Sequence, residues 1–138
     1  MKKKYSEYIQ RDSMDCGAAC LQIIAKYYGA FFLQEKMRAL CHITRNGVSL
    51  LGISDAAEAI GFRSLGVKLS WDQLKNNATL PCIIHWNQNH FVVVLEIKTK
   101  RNRTIVVVSD PAHGIIEYSE ECFLKSWIQI KNNESVGL

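Results

Sequence analysis

The sequence predicts an α+β fold, with an N-terminal helical half packed on a C-terminal antiparallel β-sheet. Two observations carry this reading. Apolar residues recur at helical spacing through the first half, and beyond "AIGF" the period shortens to two. The helices come first and the strands then follow one another, which is the order of an α+β chain rather than of a βαβ one. With 138 residues the chain can form one domain with a proper core.

The elements follow in order. After "DSMD", residues Ala19, Cys20, Ile23, Ile24 and Tyr27 fall on one helical face. Asp12, Ser13 or Asp15 can cap this helix and Gly29 can stop it. A second helix fits residues 33–41, followed by the loop "TRNGVS". Ser49 opens a third helix that ends at Gly61. "FRSLGVKL" reads as a strand, and "SWDQLKNN" as a short helix capped by Ser70. β runs then follow at 81–86, 90–97, 104–110 and 115–119. Ser119 opens a short helix over "SEECFLKSW", and "IQI" is a possible last strand. The whole chain, 1–138, reads as a single domain, with an N-terminal arm at about 1–9 and a polar tail or linker at about 129–138.

Composition narrows the function classes. A net charge of +4 is mild, and the basic residues are scattered apart from residues 2–4 and "KTKRNR". Without a basic face interleaved with aromatics, nucleic acid is not an expected partner. The five cysteines, Cys16, Cys20, Cys41, Cys82 and Cys122, are odd in number and repeat no spacing. Free thiols in a reducing compartment are the simplest reading. "MKKKYSEYIQ" lacks the apolar run of a secretory signal, "FVVVL" is too short to span a bilayer, and no Walker-type loop is present.

"QRDSMDCGAAC" at 10–20 carries the chemistry. If the helix starts near Asp15, Cys16 sits in its first turn, where unpaired amides and the helix dipole favour a thiolate. Gly17 leaves room for another backbone to approach. A cysteine nucleophile needs a base, and the base an orienter. Of His42, His85, His90 and His113, His90 opens a strand just after the polar turn "NQN". If the next hairpin turns at Lys100 and Arg101, His90 pairs opposite Pro111, beside Asp110. A shift of the turn by one residue moves the pairing by two positions and can bring His113 closer instead.

"QRDSMDCGAACLQIIAKYYG", "HFVVVLEI" and "VVVSDPAHG", in this order, resemble the N-terminal papain-like cysteine peptidase domain of bacterial ABC transporters that export bacteriocins and other peptides. The resemblance runs from about Gln10 to about Trp127. It implies a papain-like fold in which Cys16 is the nucleophile and His90 the general base and then acid. Asp110 would orient the His90 ring. Gln10 and the Cys16 backbone N–H would donate to the oxyanion. It also implies a substrate class, namely secreted peptide precursors cleaved after a double glycine, whose amphipathic leader helix docks in an apolar groove. The implied partners are the transmembrane and ATP-binding domains of the same transporter, and the implied location is the cytoplasmic side of the bacterial inner membrane. No cofactor is implied. The polar tail and the absence of a span fit a domain cut ahead of the first membrane helix.

Taken singly, these residues have plainer readings. Cys16 can be core packing, Gln10 a surface amide, His90 a strand-end histidine, and Asp110 and His113 turn residues of Asp-Pro-Ala-His-Gly. His113 is the reserve candidate for the base, and His85 a satisfied strand histidine. Cys20 stands one turn from Cys16, a spacing that seldom has disulfide geometry, and Cys41, Cys82 and Cys122 read as core packing. Asp15 is a helix cap or a charge that tunes the thiol. Two further functions remain: a leader-docking module whose catalysis is weak or absent, and a thiol-redox or metal protein built on Cys16 and Cys20, to which Cys41 and His42 would be added in a zinc site.

Overall fold

The computed structural model describes residues 16–41, 49–86, 90–127, 129–130 and 134–137. The first half forms α1 (Cys16–Tyr27), α2 (Gln34–Leu40) and α3 (Leu50–Ala59). β1 (Val67–Leu69) and α4 (Trp71–Asn76) lead to β2 (Cys82–Trp86), β3 (His90–Lys100), β4 (Arg103–Asp110) and β5 (Gly114–Ser119). α5 (Glu120–Ser126), β6 (Gln129–Ile130) and β7 (Glu134–Gly137) follow.

Local chemistry sets the boundaries. Ser49 accepts from the Gly52 amide, and Ser119 from that of Cys122. Ser70 and Gln73 form a reciprocal capping box. Each such cap contributes about 1 kcal/mol. Gly29 and Gly61 stand just past α1 and α3 with φ of 83° and 98°, a conformation that favours glycine at a helix end. The candidate caps of α1 (Asp12, Ser13 and Asp15) lie outside the described residues.

The strands pair antiparallel in the order β1-β7-β2-β3-β4-β5, with β6 on β7. β3 is central and covered on both sides. Phe91, Val93 and Leu95 enter a core with Cys20, Leu21, Ile23, Met37 and Ile53 of the helical half. Val92 and Val94 enter a second core with Leu74, Trp86, Phe123 and Trp127. This is why "FVVVL" is apolar without alternation.

Four expectations are corrected. The strand over 62–69 shrinks to Val67–Leu69, because Phe62 packs its ring on Tyr28 at 5.6 Å and joins the helical core. The tail at 129–138 is not simply a linker: Glu134–Gly137 pairs with β1 along Val67↔Gly137, Lys68↔Val136 and Leu69↔Ser135, and reaches β2 at Ile84↔Gly137. Backbone pairing does not depend on side-chain polarity, and this strand fills the gap between β1 and β2. Cys122 is exposed rather than core, since its neighbour Phe123 takes the inward position on α5.

The fourth concerns the β3–β4 register. The hairpin turns at Arg101 and Asn102, with φ of 53° and 63°, one residue later than expected. Two positive values in a two-residue loop make a type I′ turn, whose twist suits a hairpin. The ladder then slips once: Val94 pairs with Val108 but Glu96 with Val107, so Leu95 is an extra residue in β3. The bulge decides the site. His90 shares the strand face of Val92 and Val94, and Asp110 that of Val106 and Val108, and these four valines line the second core. Without the extra residue, every β3 side chain before Leu95 would change face relative to β4. His90 and Asp110 would then point away from each other, as they also would if His90 lay opposite Pro111.

Candidate active site

Cys16 opens α1 and is buried. The apolar residues behind it on α1 pack on β3, which brings the start of the helix to the strand end that carries His90. The Cys16 side chain is close enough to the His90 ring to act on its protonation. On its other side the ring meets Asp110, with His90 Nε2 at 2.7 Å from Asp110 Oδ1. An ionised carboxylate only accepts, so Nε2 carries the proton and donates, leaving Nδ1 for the thiol.

Asp110 is fixed by its own turn. Its Oδ1 also accepts the Ala112 amide at 2.8 Å, and its carbonyl accepts the His113 amide at 3.0 Å. Pro111 has no N–H, so the first free amide after Asp110 is that of Ala112. Gly114, at φ 87°, brings the chain back into β5 opposite Asp110. The two readings of Asp110 in the sequence are thus both met, by two bonds to one oxygen. It is a turn residue and a histidine partner at once.

Electrostatics follow from these contacts. Burial disfavours the His90 imidazolium, but the bonds to Asp110 and Cys16 and their charges outweigh it, pushing His90 up to about 9. Burial likewise disfavours the Asp110 carboxylate. The bonds from His90 and Ala112, the His90 charge and the bond from His113 overcome it and hold Asp110 below its ordinary value. At neutral pH the arrangement is a buried carboxylate facing a protonated ring beside the Cys16 sulfur. A ring so placed can hold a proton taken from the sulfur and pass it to a leaving amine.

The other sequence candidates fall elsewhere. Cys20 donates its thiol to the Phe91 carbonyl at 3.3 Å, and burial, then the neighbouring Cys16, Asp110 and Cys41, push its pKa well up. It is a structural thiol. Cys41 is pushed up to about 12 by burial and by Cys16, and Cys82 to about 12 by burial. All five cysteines are free. His85 stacks on Phe91 with ring centroids 5.0 Å apart, and burial followed by the His90 charge lowers its pKa. His113 does not approach as a base; its Nδ1 lies 3.2 Å from Asp110 Oδ2. Gln10 and His42 lie outside the described residues. Among the described residues no group of three or more His, Cys, Asp or Glu could hold a metal ion. No described helix is long and apolar enough to cross a membrane.

Comparison with known proteins places the chain in context. Residues 4–132 match the model of the peptidase C39 family. The chain is 37% identical over 112 residues to a colicin V secretion/processing ATP-binding protein of Escherichia coli, covering 81% of this chain and 15% of that protein. It is 32% identical over 135 residues to the pediocin PA-1 transport/processing ATP-binding protein of Pediococcus acidilactici, covering 93% and 18%. The chain therefore spans less than a fifth of these relatives. Among solved structures, it resembles a double glycine motif protease from an AMS/PCAT transporter in complex with its leader peptide. The TM-score is 0.85 at 32% identity, covering 98% of this chain and 91% of that one. The peptidase domain of Streptococcus ComA, a bifunctional ABC transporter of a quorum-sensing pathway, matches with a TM-score of 0.77 at 29% identity, covering 96% of each.

Proposed function

The chain belongs to the peptidase C39 family of cysteine peptidases, and on that premise we propose that it cuts the leader from a secreted peptide precursor after a double glycine. The observation that carries the assignment of roles is the chain of contacts from Cys16 through His90 to Asp110, drawn from α1, β3 and β4.

In this reading, Cys16 Sγ, its proton already held on His90 Nδ1, attacks the carbonyl carbon of the second glycine. The negative charge on the carbonyl oxygen is met by the Cys16 backbone N–H and by Gln10. As the C–N bond breaks, His90 protonates the departing amine, leaving a thioester on Cys16. Water, losing a proton to His90, then hydrolyses the thioester and frees the leader. Asp110 keeps the ring turned with Nδ1 to the thiol throughout.

Specificity for glycine would come from a channel too narrow for a Cβ, which works by exclusion rather than attraction. The rest of the leader would dock as an amphipathic helix. An apolar cavity of about 750 Å³, lined by Leu21, Ile24, Tyr28, Ile53, Phe62 and Leu65 among others, has the character such a helix needs. Leu65 is 73% exposed and Tyr28 50% exposed, so apolar surface stands ready there for a partner.

We further propose that residues 1–138 are one peptidase domain of a longer exporter, acting beside its transmembrane and ATP-binding domains at the cytoplasmic face of the membrane. The test is a series of leader–cargo peptides with Gly-Gly, Gly-Ala or Ala-Gly at the junction, followed by mass spectrometry. Cleavage after Gly-Gly with loss of product for either alanine peptide is expected. Equal cleavage of all three would overturn the specificity.

A further inference from the structure

We infer that His113 is a positioning residue, which holds the far oxygen of Asp110 so that the near one stays on His90. This rests on the peptidase reading above, since it concerns the same relay.

The Asp110 carboxylate has two oxygens with different duties. Oδ1 takes both the His90 and the Ala112 bonds, at 2.7 and 2.8 Å. Oδ2 meets His113 Nδ1 at 3.2 Å. The Asp110 side chain is 4% exposed, whereas that of His113 is 71% exposed. His113 therefore lies over the carboxylate at the protein surface and contributes little to the core. Rotation of the carboxylate about its Cβ–Cγ bond would carry Oδ1 away from His90, and a donor on Oδ2 resists that rotation. The backbone favours the contact, because the bond from the His113 amide to the Asp110 carbonyl sets the turn that brings the ring back over the side chain. Ionised Asp110 only accepts, so Nδ1 of His113 donates. Nothing in this geometry brings His113 to the thiol; it acts through Asp110 alone.

The test uses His113→Ala and His113→Asn. Asparagine carries a donor, Nδ2, at the same number of bonds from Cα as Nδ1. Two readouts are taken on the whole domain: kcat and KM for a Gly-Gly leader peptide, and the low-field Nε2–H proton resonance of His90. His113→Ala is expected to lower kcat about fivefold, the worth of one solvent-exposed hydrogen bond, with KM unchanged, and to shift or broaden the resonance. His113→Asn is expected to restore both. An unmoved His90 resonance in His113→Ala would overturn the inference. So would a loss that asparagine fails to restore. If the wild type cuts no Gly-Gly peptide, the substrate assignment fails, and the resonance alone decides the role of His113.

Discussion

Replacing Asp110 with asparagine removes one charge and leaves the shape of the site. His90 is pushed from 6.5 to about 9 against the effect of burial. That distance corresponds to about 3 kcal/mol, at about 1.4 kcal/mol per pH unit. Asp110 and Cys16 supply it together. In Asp110→Asn the burial remains, the Cys16 contact remains, and the carboxylate charge is gone. His90 should then titrate at least about one pH unit lower than in the wild type. The same variant presents an amide that can donate to Nε2 and so favours the wrong tautomer, for which a loss in kcat of about 100-fold or more is expected. The assay is a nitrogen-15 NMR titration of the histidines, with peptide cleavage measured on the same samples and circular dichroism to establish folding. A folded Asp110→Asn protein whose His90 still titrates near 9 would refute the electrostatic account of the relay.

Three further outcomes are expected. His90 has a raised folded-state pKa, so its stabilising contribution is complete below about 6.5, declines as pH rises, and is gone above about 9. Urea titrations at pH 6 and pH 9.5 should show the wild-type advantage over His90→Gln shrinking by about 1–3 kcal/mol; an advantage that grows with pH would contradict the sign. Phe123 is fully buried and its ring lies 5.3–5.6 Å from those of Trp71, Trp86 and Trp127, so Phe123→Ala should cost about 3–5 kcal/mol in chemical denaturation. Leu65→Glu, at the rim of the apolar cavity, should raise KM for the leader peptide about tenfold with kcat kept; an unchanged KM would place leader docking elsewhere.

Much of this architecture was legible in the chain because it rests on local chemistry. The serines at 49, 70 and 119 announce their helices, and the change from helical to alternating period marks the passage to the sheet. Cys16, His90 and Asp110 could be singled out from the order of their motifs. What could not be read was how they meet. That depends on Leu95, one extra residue in a run of valines and leucine, which leaves no mark in composition yet reverses which face His90 occupies. β7 was missed for a related reason: "ESVG" joins the sheet through its backbone, and polar side chains gave it the look of a tail. Exposure of Cys122 was hidden because one position along a short helix separates it from the buried Phe123. The contact between His113 and Asp110 was latent in Asp-Pro-Ala-His-Gly, where a proline without an N–H and a glycine with positive φ fold the turn back on its own carboxylate.

The central claim is that Cys16 performs the cleavage. The most direct measurement compares wild type and Cys16→Ala on a leader–cargo peptide with Gly-Gly at the junction, with leader binding measured in parallel. Loss of all product by the variant, with leader affinity kept, is the result this account predicts. Cleavage by Cys16→Ala at the wild-type rate would contradict it, as would a wild type that binds the leader and never cuts it.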